Sequence, residues 1–226
     1  KHPTKGAEAK KVFDDAQQLL QSIIKDKKLE AKAVYGFFKA QSCSEEVKLF
    51  EDQTSFYFPR QLIDKGNQPN FSLADYISPT GDDHIGLFAV TAGHGIENII
   101  KEYQAKNDDY SEIMAKVLAD RLAEAAAEWL HKKVRKEYWG YSKDEDLDLN
   151  AMLYEKYRGI RPAPGYPACP DHKEKDKIWK LLNVEEQIGI GLTESRAMFP
   201  AASVCGWYFS HPEARYFSVL KNEVLQ

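Results

Sequence analysis

The sequence predicts an α+β protein: an antiparallel sheet flanked by helices, one of them long and spanning residues 109–138. Three observations predict it. Short runs of β-branched and aromatic residues follow one another with turn residues between them, which is the pattern of hairpins. A single helical periodicity runs from Asp109 to Tyr138. Few internal repeats are evident and the strands are neighbours in sequence, so they pair as antiparallel neighbours. With 226 residues, 43% of them hydrophobic, there is material for a real core, in one large domain or two small ones.

The elements follow in order. From Gly6 to Lys27, Val12, Phe13, Ala16, Leu19, Leu20, Ile23 and Ile24 recur at three- and four-residue steps, which makes an amphipathic helix. Ala33 to Ala40 has β character. Glu46–Phe50 and Ser55–Phe58 flank Glu51 to Thr54 and read as a hairpin closed by Pro59. Arg60 to Lys65 is a helix or loop, and Gly66 to Pro69 a turn. A second turn signal, Ser78 to Asp83, precedes a buried strand, His84–Thr91. Ala92-Gly93-His94-Gly95 then leads into a helix from Ile96 to about Ala105. That glycine-rich turn has neither the dinucleotide nor the P-loop spacing.

Asp108 and Asp109 cap the long helix, and Lys132, Lys133, Arg135 and Lys136 lie near its end, each sign matching the helix dipole. Leu118, Leu122, Ala125 and Trp129 are expected to face the core. A second side stacks Asp120, Arg121, Glu124, Glu128, His131 and Arg135, continuing from Ile113 and Val117. This stripe is either a solvated salt-bridge face or the floor of a cleft. Beyond an acidic linker, Lys143 to Asp148, a short helix covers Leu149–Tyr157. His172–Leu182 is helical, and Val184–Gly189 is a helix or turn. Ser203–Phe209 and Ala214–Leu220 read as two strands around Ser210 to Glu213.

The net charge of −4, without a basic stripe, argues against a nucleic-acid or anionic-membrane binder. No apolar run approaches the ~20 residues that cross a bilayer, and no leader sequence is expected. Cys43, Cys169 and Cys205 are odd in number and far apart, which suits a reducing cytoplasm. The chain starts at Lys1, and an excised piece of something longer is one reading of that. Cys169 and His172, with Cys205 and His211 downstream, lack zinc-ligand spacing. No nucleophile motif stands out.

What remains is Arg158 to His172, where Pro162, Pro164, Pro167 and Pro170 enforce a stiff extended ribbon. It is either a rigid connection or a ligand-binding segment. A site can be assembled from Arg161, the backbone of Ala163 to Gly165, the phenols of Tyr166 and Tyr216, and the carboxylates of the long helix. Arginine matches a carboxylate, aromatic faces stack on a base, and carboxylates suit a sulfonium or ammonium. S-adenosylmethionine has that profile.

Several strings also resemble a known family. They are Arg161-Pro162-Ala163-Pro164-Gly165-Tyr166-Pro167-Ala168-Cys169-Pro170, with its Arg-x-x-x-Gly-Tyr signature, and Ala119 to Ala125, Arg135 to Tyr141, Leu192 to Ser195 and Gly206 to Pro212. The chain resembles the C-terminal activation domain of cobalamin-dependent methionine synthase over nearly all of 1–226. The resemblance implies a helmet-like α+β domain with a twisted sheet that binds S-adenosylmethionine in a shallow groove. It further implies a role in restoring oxidised cobalamin, carried by a separate cobalamin-binding domain, with a flavodoxin-type electron donor. The isolated domain is expected to have no turnover alone. By position, Arg161 corresponds to the arginine meeting the ligand's carboxylate, and Ala163 and Gly165 to the backbone beside it. Tyr216 and Phe217 correspond to the adenosyl contacts, and Glu124 and Glu155 to carboxylates near the cationic end. Tyr166 corresponds to the corrin-facing positioning residue, and Asp120 to the docking edge. By the resemblance, the family's N-terminal extension, with an aspartate for the ligand's ammonium, and its C-terminal tail are expected to be missing from residues 1–226. A non-catalytic docking module for the cobalamin domain or the reductant is the alternative, and a binder of another adenosyl compound a third.

Overall fold

In the computed structural model the described residues are 3–63, 66–67 and 69–219. Five strands form one antiparallel sheet: β1 (Glu30–Cys43), β2 (Glu46–Leu49), β3 (Ser55–Tyr57), β4 (Asp83–His94) and β7 (Ser203–Tyr208), in the order β3-β2-β1-β4-β7. β1 and β4 are the long central pair, in register at Val34↔Ala89 and Phe38↔Ile85; β4 then pairs β7 at Ala89↔Cys205. A two-stranded ribbon, β5 (Gly191–Leu192) with β6 (Met198–Phe199), stands apart.

β4 is buried along nearly its whole length because both faces of the sheet are covered. Its residues alternate. Ile85, Leu87 and Ala89 join Trp207, Phe56 and Phe58 on one face. That side is closed by the short 3-10 turn Leu73–Tyr76 and by the helices α5 (Glu174–Leu182) and α6 (Val184–Ile188). Phe88, Val90 and Ala92 point the other way, to α3 (Asp109–Lys133). α2 (Ile96–Gln104) packs on α3, and the end of α1 (Pro3–Lys25) joins them through Ile23, Ile99 and Ala115.

The face that α3 buries differs from the one expected. The core stripe is Ala115, Ala119, Ala123, Ala127 and Leu130, whereas Ala125 and Trp129 are exposed and Leu118 and Leu122 sit at the flanks. Small side chains let the helix axis approach β4 and β7 closely, so the sheet selects the alanines over the bulkier stripe. After Lys133 the helix widens into one π turn, Val134–Tyr138, of the kind often found at functional sites.

Two further expectations need correction. Residues 214–219 form no strand, because the free edge of β7 is already taken. Ile160 and Phe209 exchange backbone hydrogen bonds of 3.0 Å, and the Trp207 N–H donates to the Pro162 carbonyl at 3.0 Å. The proline ribbon therefore runs along that edge and blunts it. Segment 214–219 is instead fastened by side chains, with the Gln61 amide donating to the Ser218 carbonyl and the Tyr76 hydroxyl to the Arg215 carbonyl, and by one main-chain bond from the Val219 N–H to the Pro167 carbonyl at 2.7 Å. Leu220 lies outside the described residues. The helix expected over Leu149–Tyr157 is shorter, α4 (Leu149–Leu153), because Glu155 adopts a left-handed φ of 51°.

Candidate functional site

The ribbon leaves the sheet edge at Pro162 and turns back on itself. Within it Gly165 has φ 90°, and its N–H donates to the Cys169 carbonyl at 2.8 Å. A β-carbon there would lie 2.0 Å from the His172 ring. The glycine is therefore required by the turn itself. It is absent from the wall of the cavity described next, whereas its neighbours Ala163 and Tyr166 belong to it.

Between this ribbon, segment 214–219 and the acidic side of α3 lies a cavity of about 370 Å³. Glu124, Glu155, Arg161, Ala163, Tyr166, Tyr216 and Phe217 all line it. These come from α3, the residues after α4, the ribbon and the C-terminal segment, and only the tertiary fold brings them together. Pro162, Pro167, Ala168, Val204 and Ser218 complete the wall. Tyr166 stands at the lip, 60% exposed. Asp120 lies outside, in a shallow neighbouring hollow that shares Glu124. A larger open groove, lined by Trp129, Leu149, Met152 and Leu153, shares Glu124, Glu155 and Arg161 with the cavity.

Arg161 is fixed at both ends. Its backbone N–H donates to the Tyr216 hydroxyl at 3.1 Å, and its Nη2 donates to Glu128 Oε2 at 3.1 Å. Nη1 lies 3.8 Å from Glu124 Oε2, and Nε is buried without a hydrogen-bond partner among the described residues. Burial opposes the charge on Arg161, but Glu128, Tyr216 and Tyr157 together outweigh it and raise the pKa above the ordinary arginine value. Tyr216 is 42% exposed, and its hydroxyl accepts from the Arg161 N–H. Burial raises that phenol, against the opposing effect of the Arg161 N–H.

Below the cavity floor the stripe on α3 becomes fully enclosed. His131 is buried, its ring stacked on Tyr208 at 5.1 Å and edge-on to Tyr157 at 5.1 Å. Burial, then Arg135 and Arg161, hold its pKa well below the usual histidine value, so it is neutral. Arg135 has no exposed surface. It donates from Nε to Glu145 Oε2 at 2.8 Å and from Nη2 to Oε1 at 2.9 Å, and its guanidinium lies 3.9 Å from the Tyr157 ring centre. The stripe thus borders the cavity at Glu124 and the neighbouring open groove at Glu124 and Glu128, and becomes a buried polar cluster beyond them. Glu128 was visible in the sequence as a stripe member, but nothing there set it apart from its neighbours.

No group of three or more potential metal ligands occurs among the described residues. Cys169 and Cys205 are core residues whose thiols burial pushes up, Cys205 to about 12. Among the described residues no helix is long and apolar enough to cross a membrane.

Residues 1–225 match the family model described as the vitamin B12 dependent methionine synthase activation domain. A solved structure, the crystal structure of the MetH reactivation domain bound to AdoHcy, is 45% identical with a TM-score of 0.90. The match covers 94% of this chain and 68% of that one.

Proposed function

The chain belongs to the family of vitamin B12-dependent methionine synthase activation domains, and on that basis we propose that its cavity binds S-adenosylmethionine for methyl transfer to cobalamin on another domain. The observation that carries this reading is the convergence of one arginine, two carboxylates and two tyrosines on a single cavity. Its volume of about 370 Å³ falls within the usual range for small-molecule sites. The similar structure is a complex with AdoHcy, the product of methyl donation.

The residues divide by chemistry. Arg161 is the group for the ligand's carboxylate, since among the described residues Nη1 makes only a 3.8 Å ion pair with Glu124 and Nε has no hydrogen-bond partner. Glu124 and Glu155 face the cationic sulfonium and ammonium end. Phe217 and the Tyr216 ring hold the adenosyl group, with the main chain of Ala163 beside it. Gly165 acts one step back, by permitting the turn that presents Ala163 and Tyr166. Tyr166, exposed at the lip, faces the corrin and positions it, and Asp120 belongs to the docking edge.

Bound, the ligand supplies an electrophilic methyl on a good leaving group, so the protein need provide no acid, base or nucleophile. The chain's task is orientation, which can account for several kcal/mol of barrier. The site suits that task, because Arg161 is held before any ligand arrives and the carboxylates of Glu124 and Glu155 in the cavity wall favour a cation. A flavodoxin-type donor supplying the electron, a cytoplasmic setting and an absence of turnover by this domain alone complete the reading, with 1–226 acting as one domain.

Isothermal titration with S-adenosylmethionine tests it. Wild type should bind, and Arg161→Ala should bind at least about tenfold more weakly, given the usual strength of a charge-assisted bond. Equal binding by the variant would refute the assignment of Arg161. Complex formation with a cobalamin-loaded domain that is indifferent to the ligand would favour a docking module instead.

A further inference from the structure

We propose that Glu128 is the residue that aims Arg161 into the cavity, a positioning role that rests on the ligand reading above. Glu128 does not line the 370 Å³ cavity. Its Oε2 accepts from Arg161 Nη2 at 3.1 Å and from the Tyr157 hydroxyl at 3.3 Å. Its Oε1 is buried without a hydrogen bond among the described residues and lies 3.8 Å from Arg135 Nη1. Arg135 cannot follow it, being clamped by Glu145 and packed on Tyr157. The carboxylate is thus seated by Tyr157 and Arg135, and it turns that fixed seat into a fixed direction for Arg161.

Glu124 does not do this work. It is the more exposed of the two, and its oxygen is 3.8 Å from Nη1, beyond hydrogen-bond distance. Without Glu128 the part-buried guanidinium would lose its close partner and turn toward Glu124, closing on the carboxylate that faces the ligand's cation. With Glu128 in place, Nη2 is occupied, and the Nη1 edge stays available at the cavity wall. Ordering a long side chain only on binding weakens a ligand by roughly tenfold. That ordering is complete here in the free protein.

The test separates aiming from general support. Glu128→Gln and Tyr157→Phe are titrated with S-adenosylmethionine and with its decarboxylated form, which keeps the sulfonium and amine but offers Arg161 nothing. Glu128→Gln is expected to bind S-adenosylmethionine about tenfold more weakly and the decarboxylated ligand as wild type does. Tyr157→Phe keeps every charge, and should show the same selective loss at about threefold, the effect of one hydrogen bond. In an Arg161→Ala background, Glu128→Gln should cost nothing further. The proposal is overturned by unchanged or tighter binding of S-adenosylmethionine, which would make Glu128 a competitor for Arg161. It is equally overturned by equal losses for both ligands in both variants, which would mark a structural role. Wild type that binds neither ligand defeats the ligand reading, and the proposal with it.

Discussion

Gly206→Ala tests whether the joint between ribbon and sheet places the site. A β-carbon on Gly206 would lie 2.2 Å from the Pro162 carbonyl oxygen and 3.2 Å from Phe88 Cε1. Both are tight, and the first involves main chain, which cannot swing aside as a side-chain tip can. The ribbon must retreat by about 1 Å, at an overpacking cost of roughly 1–3 kcal/mol. The retreat also strains the 3.0 Å bond from the Trp207 N–H to Pro162, which contributes about 1 kcal/mol. Replacing a strand glycine normally returns about 0.5–1 kcal/mol. The expected net destabilisation is therefore about 1–3 kcal/mol, read by urea unfolding with linear extrapolation. Because Arg161 immediately precedes Pro162, the same shift draws it from Glu128, and affinity for S-adenosylmethionine should fall about tenfold. A loss of stability under about 0.5 kcal/mol, typical of a harmless surface change, would refute the packing argument. A large loss with intact affinity would refute the claim that this joint sets Arg161.

Three other perturbations address the buried cluster and the core. Arg135→Leu leaves the Glu145 carboxylate, 7% exposed, without its partner, and should cost about 3–5 kcal/mol, whereas the double change with Glu145→Leu should recover most of it; equal costs for single and double variants would contradict the pairing. His131 has its folded pKa depressed well below an unfolded value near 6.5. Below pH 6.5 the unfolded chain takes up a proton that the native protein refuses, so stability should decline as pH falls and stay flat above. The contribution approaches about 2 kcal/mol by pH 5, and His131→Phe should remove that part of the slope; identical pH profiles would overturn the assignment. A thiol reagent should label the exposed Cys43 in the native protein, with Cys169 and Cys205 reacting only on unfolding; rapid native labelling of all three would contradict the burial.

Where reading the residues went wrong, bulk misled it. Leu118, Leu122, Ala125 and Trp129 make a heavier stripe than the alanines, yet the alanines meet the sheet. Hydrophobic weight along a helix says that a face exists, but the shape of the neighbour chooses which one. Ala214 to Val219 has strand composition and no strand, because a strand needs a free partner edge and the ribbon had taken it. Gly165 was expected to admit a ligand, and the turn against His172 requires the glycine as well.

The sequence by itself determined the α+β class, the long capped helix, the stiffness of the ribbon and the types of group a ligand would meet, since these follow from local dihedral limits, periodicity and side-chain chemistry. The tertiary structure alone decided that Arg161 and Tyr216, far apart in the chain, are joined by a hydrogen bond, that Glu124 borders them, and that Glu128 rather than its neighbours anchors the arginine. The reason is distance through space. A pattern in one segment records what that segment can do, and the contact that uses it belongs equally to another segment whose position no local rule encodes.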